Sequence, residues 1–552
     1  MKRALAAVGL LLVLVLTACT GLPTTGYVNP GRGPQGDDAQ DFAFVPDGPQ
    51  EGATPTEIVE GFLRAGSGPA DDWATAKLFL APGTPWDPRA RVTIDRLADR
   101  RATPVPDGSA VSVQLSTVAG VDADGAYSPA VTGATETLSF ALARVDDQWR
   151  ITSAPDGVVL YEEVFPTVYQ TASVAYFDPT WSFIVPDVRW FPRPLVASRV
   201  TTALVDGAPS AWLADAVRNA FPDELSLVGR SVTLSSGGVA QVQLPRAALS
   251  LDRTTLDRMQ TQLARSLATA GISDVQMTVD GTPVAASELP VRITRIDPSP
   301  AVLTADGRFG VLSGEELETI PSLSDAVQSL APTHIELEAD RSLAAVLTER
   351  GAVASALADG GTFLLDDRPG LLPPSIDSEG EIWSVPRNAP SQVRAFSAEG
   401  VPRDVGNAWP DASEVVSFQI SRDGTRIAAI VTVAGVREVW LAGIIREGAA
   451  VNLGPPHVLS FAEAGAFDLA WLDDTTVGVL TTVDGATSLD ELGVGGRGTV
   501  GSVPENARAI AGGSASVRIL DDDGRLYSRR GSSWTLVATD IRVLAVQQGT
   551  TS

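Results

Sequence analysis

The chain has 552 residues, with 41 Lys and Arg against 67 Asp and Glu, which gives a formal net charge of -26 at pH 7. This acidity argues against binding to nucleic acid or to an anionic lipid surface, because the phosphates of both would repel it. A single cysteine excludes an intramolecular disulfide, so the burial of apolar side chains must stabilise a fold with room for three or four domains.

Residues 1–18 have the pattern of a secretory signal peptide. Lys2 and Arg3 precede an apolar run from Ala4 to Leu16, which is too short to span a bilayer. The sequence Leu16-Thr17-Ala18-Cys19 resembles the lipobox of bacterial lipoproteins, which implies cleavage before Cys19 and diacylglyceryl and N-acyl groups on that residue. An ordinary cleaved signal with an incidental cysteine is the alternative. We expect Cys19 to anchor the mature chain to the extracytoplasmic face of the cell membrane.

The next two segments are predicted to be a tether and an α+β domain. Residues 19–40 lack apolar periodicity and are rich in Gly, Pro and polar residues, which is typical of a flexible linker. In residues 41–165, the capping box Thr54-Pro55-Thr56-Glu57 begins a helix that ends at Gly66. A second helical piece is predicted around Trp73–Leu80. Alternating apolar residues then predict strands at Val111–Leu115, Thr137–Val145 and Trp149–Ile151. Helices followed by a curled antiparallel sheet resemble the cone-shaped nuclear-transport-factor-2-like fold.

Residues 166–296 have an α/β pattern. Apolar positions at helical spacing predict a helix that Ser210 caps and Pro222 ends, with Trp212, Leu213, Ala216, Val217 and Ala220 on its buried face. Further elements follow in order: a hairpin of Val232–Leu234 and Val239–Leu244, a helix over Asp252–Ala270, and a strand at Val275–Val279 before the Asp280-Gly281 turn. This order, with Gly238–Leu244 before the long helix and Thr278–Gly281 after it, resembles the GerMN domain, an envelope interaction module without known catalytic residues.

Residues 297–552 are predicted to form an all-β propeller. Asp423-Gly424, Asp473-Asp474 and Asp523-Gly524 lie 50 residues apart, each beside comparable pairs of short strands. A period of about 40–50 residues with four strands is typical of propeller blades, and five or six blades fit the length. The one exception to the strand pattern is a possible helical turn at Ser324–Leu330. A large β-sandwich array is the alternative architecture.

The sequence offers little for catalysis or metal binding. The two histidines, His334 and His457, are distant and lack a cysteine partner, so structural roles are favoured. Gly-x-Gly-x-x-Gly occurs at Gly31–Gly36 and Gly493–Gly498, but neither stands between a strand and a helix, so both predict turns. Asp366-Asp367 and Asp521–Gly524 could offer oxygen ligands to Ca²⁺, although tight turns use the same residues. We predict no catalytic residue, no cofactor and no metal site.

The complete order of segments resembles the LpqB family of actinobacterial lipoproteins. The resemblance rests on Leu16–Cys19, on the Gly238–Leu244 hairpin, on Val275–Gly281 and on the order of the domains. It implies a non-enzymatic accessory protein that contacts the extracellular part of a two-component sensor histidine kinase, MtrB, and affects cell-envelope homeostasis and division.

Two other functions remain open. A cell-wall glycan-binding lipoprotein would need exposed aromatic platforms, for which the candidates are Trp181, Trp190, Trp383, Trp409 and Trp534. A propeller-based hydrolase would need convergent carboxylates in a pocket, and the sequence selects no such pair.

Overall fold

The computed structural model describes residues 46–229, 232–235, 238–462, 465–513 and 516–549. They belong to one compact unit, Val45–Ser552. We name its parts by the predicted bounds: the N-terminal module (46–165), the central module (166–296) and the propeller (297–549). The predicted signal peptide, Cys19, the tether and Gly31–Gly36 lie outside the described residues. Within the described ranges, no helix combines the length and the apolar character needed to cross a membrane.

The N-terminal module packs two helices against a seven-stranded sheet. The predicted capping box is confirmed: the Glu57 amide donates to Thr54 Oγ1 at 3.3 Å, and the Thr54 amide donates to Glu57 Oε2 at 2.7 Å. The sheet has the order β6-β5-β3-β1-β7 with β2 and β4 also paired to β3, and β1 and β7 are parallel. The nuclear-transport-factor-2-like resemblance stays a prediction. The elements are α1 (Pro55–Ala65), α2 (Ala74–Lys77), β1 (Arg91–Asp95), β2 (Arg101–Pro104), β3 (Ala110–Asp122), β4 (Tyr127–Pro129), β5 (Thr135–Val145), β6 (Gln148–Ser153) and β7 (Val158–Tyr161).

The central module combines a long two-stranded ribbon with a small mixed sheet. Its elements are α3 (Phe165–Val168), β8 (Tyr169–Phe177), β9 (Ile184–Pro192), α4 (Val196–Val205), β10 (Thr233–Leu234), β11 (Ala240–Leu244), α5 (Arg253–Ala268), β12 (Val275–Val279) and β13 (Thr282–Pro283). The predicted hairpin, long helix and last strand are confirmed. Helix α5 connects the parallel strands β11 and β12, and it also bonds to the ribbon, because Gln262 Nε2 donates to the Ala175 carbonyl at 2.8 Å.

The predicted helix between Ser210 and Pro222 is wrong. The segment is a series of turns, and the Phe177 and Arg218 backbones exchange hydrogen bonds as an isolated bridge. The Trp212 carbonyl accepts the amide of Gly443 in the propeller at 3.0 Å, where a helix would have directed it to an amide within its own segment. The apolar side chains are buried as predicted, but backbone amides and carbonyls of the segment form hydrogen bonds with other parts of the fold and not within a helix.

The propeller has six blades among the described residues: blades 1, 2, 5 and 6 are separate sheets, whereas blades 3 and 4 are joined into one nine-stranded sheet by a parallel pair between Val405–Gly406 and Val451–Asn452. Inner strands such as Leu343–Thr348 and Arg426–Val433 are buried over most of their length, since each blade lies between two others, whereas the outermost strand of blade 5, Gly498–Ser502, is fully exposed. Helix α6 (Leu323–Ser329) confirms the predicted helical turn. The β-sandwich alternative does not account for this radial series of sheets.

The strands of the six blades follow in chain order. Blade 1 contains β14 (Ala301–Thr304), β15 (Phe309–Ser313) and β16 (Glu316–Glu318); blade 2 contains β17 (Pro332–Leu337), β18 (Leu343–Thr348), β19 (Val353–Leu357) and β20 (Thr362–Asp366); blade 3 contains β21 (Ser375–Ile376), β22 (Ile382–Ser384), β23 (Arg394–Phe396) and β24 (Pro402–Gly406); blade 4 contains β25 (Glu414–Ile420), β26 (Arg426–Val433), β27 (Val436–Glu447), β28 (Ala450–Leu453) and β29 (His457–Ala462); blade 5 contains β30 (Ala466–Asp473), β31 (Thr476–Val483), β32 (Ala486–Gly493) and β33 (Gly498–Ser502); blade 6 contains β34 (Ala507–Ala511), β35 (Arg518–Asp521), β36 (Leu526–Arg530) and β37 (Ser533–Ala538).

The ring is closed by the last two strands that the structure describes. Strand β38 (Ile541–Leu544) pairs antiparallel with β14 and completes blade 1. Strand β39 (Val546–Gln547) then pairs in parallel with β17 of blade 2. Residues more than 200 positions apart in the sequence therefore share a sheet, which closes the ring between its first and last blades and leaves only the outermost strand of each blade as an edge.

One continuous apolar core joins the central module to the propeller. Trp212 and Leu213 of the turn segment belong to the same buried cluster as Leu441 of blade 4 and Val494 of blade 5. The propeller also reaches the N-terminal module, because strand β29 contacts β4. The modules are therefore not independent domains joined by linkers, because the surfaces between them are part of the folded interior.

Candidate functional site

A cleft of about 270 Å³ lies between the N-terminal and central modules. Trp73, Val92 and Val121 line it from the N-terminal module, and Tyr169 and Trp190 line it from the ribbon. These walls are apolar and almost fully buried. A cleft of this size and lining, placed at a domain interface, has the characteristics of a small-ligand site.

Helix α4 forms one side of the cleft. Arg199, Thr202, Ala203 and Asp206 face the cleft, at spacings of three, four and seven residues that put them on one side of the helix. The other side of the helix carries Val200 and Leu204, which are fully buried in the central core. The pattern of the helix thus separates a core face from a cleft face.

Two cations of the cleft lining, Arg89 and Arg199, lie close to the carboxylate of Asp72. Lys77, Arg89 and Arg199 all act on the carboxylate of Asp72 and hold its pKa below its ordinary value; the hydrogen bond from Lys77 Nζ at 2.5 Å lowers it most. Asp71, Asp72 and Trp73 all have left-handed backbone conformations, with φ of 48°, 58° and 57°. Three such residues in succession cost about 1–3 kcal/mol each. This strained turn places Trp73 in the cleft wall.

The cleft lining also contains three carboxylates. Asp122 and Asp124 lie on the exposed turn between β3 and β4, and Asp206 ends α4. The nearby Arg189 is already neutralised, because its guanidinium donates to the buried Asp187 carboxylate at 2.6 Å and to the Ala208 carbonyl. The cleft is therefore lined by both cations and carboxylates.

Backbone contacts fix the floor of the cleft. The Trp190 amide donates to the Gly125 carbonyl at 2.8 Å, and a Cβ at Gly125 would lie only 2.7 Å from the Trp190 carbonyl oxygen. The indole Nε1 of Trp190 donates to the Gly495 carbonyl of blade 5 at 2.7 Å. All three modules therefore meet at Trp190.

The predicted turn at Gly493–Gly498 is confirmed, and it has a role that the sequence did not indicate. It joins β32 to β33 and inserts between the N-terminal and central modules. A Cβ at Gly496 would lie 1.9 Å from Tyr127 Cδ1, and one at Gly495 would lie 2.5 Å from Val188 Cγ1. The glycines allow the propeller backbone to approach this closely.

The two histidines are in different blades. His334 lies on β17, and His457 begins β29. The His457 ring stacks on Trp212 with centroids 5.7 Å apart and planes at 14°, and burial lowers its pKa. His457 therefore packs the junction between the central module and blade 4, which agrees with a structural role.

The acidic turns are occupied by bonds within the protein. Asp366 accepts from Arg368 Nη2 and Ser384 Oγ, both at 2.6 Å. Asp521 Oδ1 accepts the Arg525 amide at 2.7 Å. In the part of the chain that the structure describes, no group of three or more His, Cys, Asp or Glu side chains is arranged to hold a metal ion. These acids stabilise tight turns.

A buried polar network links blade 2 to blade 3. The Glu336 carboxylate accepts the Ile376 amide at 2.9 Å and Ser375 Oγ at 3.1 Å, and Gln548 Nε2 donates to the same oxygen. Burial raises the pKa of Glu336 to about 7. Arg422, also buried, donates to the Trp471 and Gly512 carbonyls at 2.9 and 3.0 Å, which ties blade 4 to blades 5 and 6.

The five candidate tryptophans do not form an open row. Trp190, Trp383 and Trp409 are buried. Trp181 is partly buried, and the Arg258 guanidinium covers its ring at 3.9 Å from the centroid. Trp534 is also partly buried and donates to the Ser502 carbonyl. The aromatic platform that a glycan-binding surface would need is therefore not formed by these residues.

Sequence reasoning missed helix α4 and the cleft that it lines. A signal was present, because Val196, Val200 and Leu204 recur at a spacing of four directly after Pro194. The contributions of Trp73 and Trp190 could not be found in the same way, since they depend on how two modules pack.

Comparison with protein families accounts for most of the chain. The model for the N-terminal domain of lipoprotein LpqB matches residues 48–166, and the model for the LpqB beta-propeller domain matches residues 307–543. A sporulation and spore germination domain, Germane, matches residues 173–285 between them. The matched regions correspond to the N-terminal module, the central module and the propeller.

Whole-length relatives agree with these matches. A lipoprotein LpqB of Cutibacterium acnes is 25% identical, with 97% of both chains covered. One from Thermobifida fusca is 26% identical and covers 85% of this chain and 86% of its own. A solved structure of TolB from Acinetobacter baumannii is 12% identical, with a TM-score of 0.34 over 68% of this chain and 82% of its own; this likeness is too low to support an argument.

The fold defines a multidomain β-propeller protein with a Germane domain at its centre. The two LpqB models together match more than half of the chain, and relatives with the same name cover nearly all of it. The chain belongs to the LpqB family of lipoproteins.

Proposed function

We propose that this protein is an accessory subunit of a two-component system, held by lipid on Cys19 at the extracytoplasmic face of the cell membrane. It binds the extracellular domain of an MtrB-like sensor histidine kinase and has no catalytic activity of its own. Membership of a lipoprotein family supports the anchor, and the names of the relatives are those of lipoproteins and not of enzymes.

The observation that carries the proposal is an open apolar edge on the propeller. Strand β20 is the outermost strand of blade 2, and Phe363 and Leu364 on it are 37% and 65% exposed. The neighbouring turn of blade 3 adds Val401, which is 68% exposed. No Lys, Arg or Pro lies within β20 to discourage pairing with another chain. We name Phe363, Leu364 and Val401 the blade 2 patch.

The surroundings of the blade 2 patch define what its partner needs. The exposed acids Asp359, Asp367 and Glu399 lie next to it in the sequence and belong to the same strands and turns. A complementary surface would have an apolar centre with basic residues around it, because opposite charges guide association and exclude unsuitable partners. Binding changes kinase output only if the active and inactive states of the sensor domain have different affinities for the patch.

The experiment is a binding measurement between the ectodomain, Thr20 onward, and the purified extracellular domain of the kinase. Leu364→Glu and Val401→Glu place a charge in the blade 2 patch, and we expect each to weaken binding at least tenfold. Val500→Glu is the matched control, since Val500 is 76% exposed on β33, the outermost strand of blade 5.

The second part of the test measures phosphorylation of the response regulator in cells. A strain that produces Leu364→Glu should show altered phosphorylation of the response regulator, whereas the Val500→Glu strain should resemble the parent. If Leu364→Glu and Val500→Glu bind the kinase domain with equal affinity, the blade 2 patch is not the docking surface. Absence of any saturable association with the unmodified ectodomain would refute the accessory role.

A further inference from the structure

We propose that the chain forms a symmetric dimer in which strand β33 of blade 5 pairs antiparallel with β33 of a second copy. This edge is separate from the blade 2 patch, so the inference does not depend on kinase binding. It rests on the exposure of β33, on its regular pairing with β32 and on the uncharged sequence of the strand.

Strand β33 is an open edge of the propeller. Among the described residues it pairs on one side only, with β32. All five residues of Gly498–Ser502 are exposed, and Val500 at the centre is 76% exposed, more than any other large apolar side chain that the structure describes. The free side of such a strand presents backbone N–H and C=O groups to which another strand can bond.

The outermost strands of the other blades have features that discourage pairing with another chain. Strand β16 has a glutamate at each end, and β20 ends in Asp366. The pairings of β20, β29 and β37 with their neighbours contain register shifts, and β24 is covered because it pairs with β28. Charges and bulges protect edge strands in this way. By contrast, the pairing of β33 with β32 is regular throughout, and β33 contains neither a charged residue nor a proline.

Charge selects a second copy of this chain as the occupant. With a net charge of -26, two copies repel each other and can approach closely only where like charges do not meet. In antiparallel pairing about a two-fold axis at Val500, Val500 faces Val500, Thr499 faces Gly501 and Gly498 faces Ser502. No charged side chain opposes its own copy in this register, whereas a partner of opposite charge would find no charge on β33 to recognise.

The nearest acids lie one strand behind the contact. Asp490 and Glu491 on β32 are opposite Val500 and Thr499, and Glu491 is neutralised by an ion pair with Arg529. In the dimer, the two copies of Asp490 would be separated by three strand spacings of about 4.8 Å, which is about 14 Å. This distance exceeds the Debye length of about 8 Å at physiological salt, so their repulsion is largely screened.

Both ends of β33 are held in place before pairing. The Trp534 indole Nε1 of blade 6 donates to the Ser502 carbonyl at 2.9 Å. At the other end, the preceding turn packs through Gly495 on Val188 and through Gly496 on Tyr127. An edge that is already fixed loses little conformational entropy on association, which favours pairing.

The test is sedimentation equilibrium of the chain from Thr20 onward, across about 1–200 μM protein. We expect a reversible equilibrium between monomer and dimer. Raising the salt concentration from about 0.1 M to about 0.5 M should strengthen the association, because salt screens the repulsion between two acidic copies. Association through opposite charges would weaken under the same change.

Substitutions of Val500 test the register. Val500→Glu and Val500→Lys each place like charges opposite one another, so we expect each variant alone to dimerise at least tenfold more weakly. An equimolar mixture of the two places Glu opposite Lys and should restore the dimer. Leu364→Glu is the matched control, since Leu364 is 65% exposed on β20, and it should dimerise like the unmodified chain. Urea unfolding checks that every variant is folded.

Three results would overturn the proposal. They are a chain that stays monomeric across the whole concentration range, a folded Val500→Glu variant that dimerises normally, and a mixture of the Glu and Lys variants that does not associate. Val500→Glu should keep the kinase affinity of the unmodified chain because the blade 2 patch is unchanged. Failure of this proposal therefore leaves the proposed accessory function intact, and the reverse also holds.

Discussion

At the scale of single residues, Gly496 shows how closely the propeller is joined to the other modules. It has a φ of 79°, and a Cβ there would overlap the Tyr127 ring. We expect Gly496→Ala to lower the free energy of unfolding by about 2–4 kcal/mol, of which about 1 kcal/mol is backbone strain and the rest is overpacking. Urea denaturation measures the loss.

Gly485 provides the matched control for this substitution. Its φ is 80°, yet no atom lies within 4 Å of where its Cβ would be. Gly485→Ala should therefore cost only the strain of about 1 kcal/mol. If the two alanine variants lose the same stability, the close packing of Gly496 on Tyr127 contributes nothing.

Glu336 gives a second prediction at this scale, because burial raises its pKa from 4.5 to about 7. Between these values the folded protein binds a proton that the unfolded chain has released, so the contribution of Glu336 to stability is complete below pH 4.5 and is lost as the pH rises through 7. The total change is about 3 kcal/mol at 1.36 kcal/mol per unit of pKa.

Glu336→Gln should remove this dependence, since an amide does not titrate and its oxygen can still accept the Ile376 amide. Relative to the unmodified protein, we expect the variant to gain about 3 kcal/mol in stability between pH 4.5 and pH 7.5, measured by urea unfolding. Asp468, whose pKa burial raises to about 6, titrates in both proteins and cancels. A constant difference across this range would mean that Glu336 is ionised in the folded state throughout.

At the scale of elements, local sequence signals are enough to predict some helices, whereas tertiary contacts determine the structure of other segments. The helix from Arg253 to Ala268 was predictable because its cap is local: the Asp252 carboxylate accepts the Thr255 amide at 3.1 Å. The segment after Ser210 has the same apolar spacing, but its Ser210 hydroxyl donates to the distant Asp187 and does not cap a helix. The apolar periodicity indicated which side chains are buried, but it could not indicate which groups bond to the backbone amides and carbonyls.

The candidate site illustrates the same limit. Arg199 and Asp206 follow a helical spacing that a reader of the sequence could have found. The turn that carries Trp73 has three consecutive left-handed residues, and no local propensity favours that conformation. Only the packing of two modules makes these residues into one cleft, so a single sequence without homologues gives the modules and not the site between them.

At the scale of the whole molecule, the shared core predicts cooperative unfolding. The apolar cluster that contains Leu213 and Leu441 leaves no plane along which the central module can separate from the propeller without exposing buried side chains. We expect the chain from Thr20 onward to show one calorimetric transition, with coincident loss of circular dichroism and tryptophan fluorescence. Two or more resolved transitions would show that the modules unfold independently.

The closure of the propeller by β38 and β39 has a consequence for biogenesis. Blades 1 and 2 are each completed by a strand from residues 541–547, the last part of the propeller to be synthesised. While the chain folds, the earlier blades must therefore persist with an unpaired edge until these residues are available. A chain that lacks residues 541–547 would keep that edge permanently, so we expect it to pair with other chains and aggregate. Closure of the ring thus makes the stability of the first two blades depend on residues more than 200 positions further along the sequence.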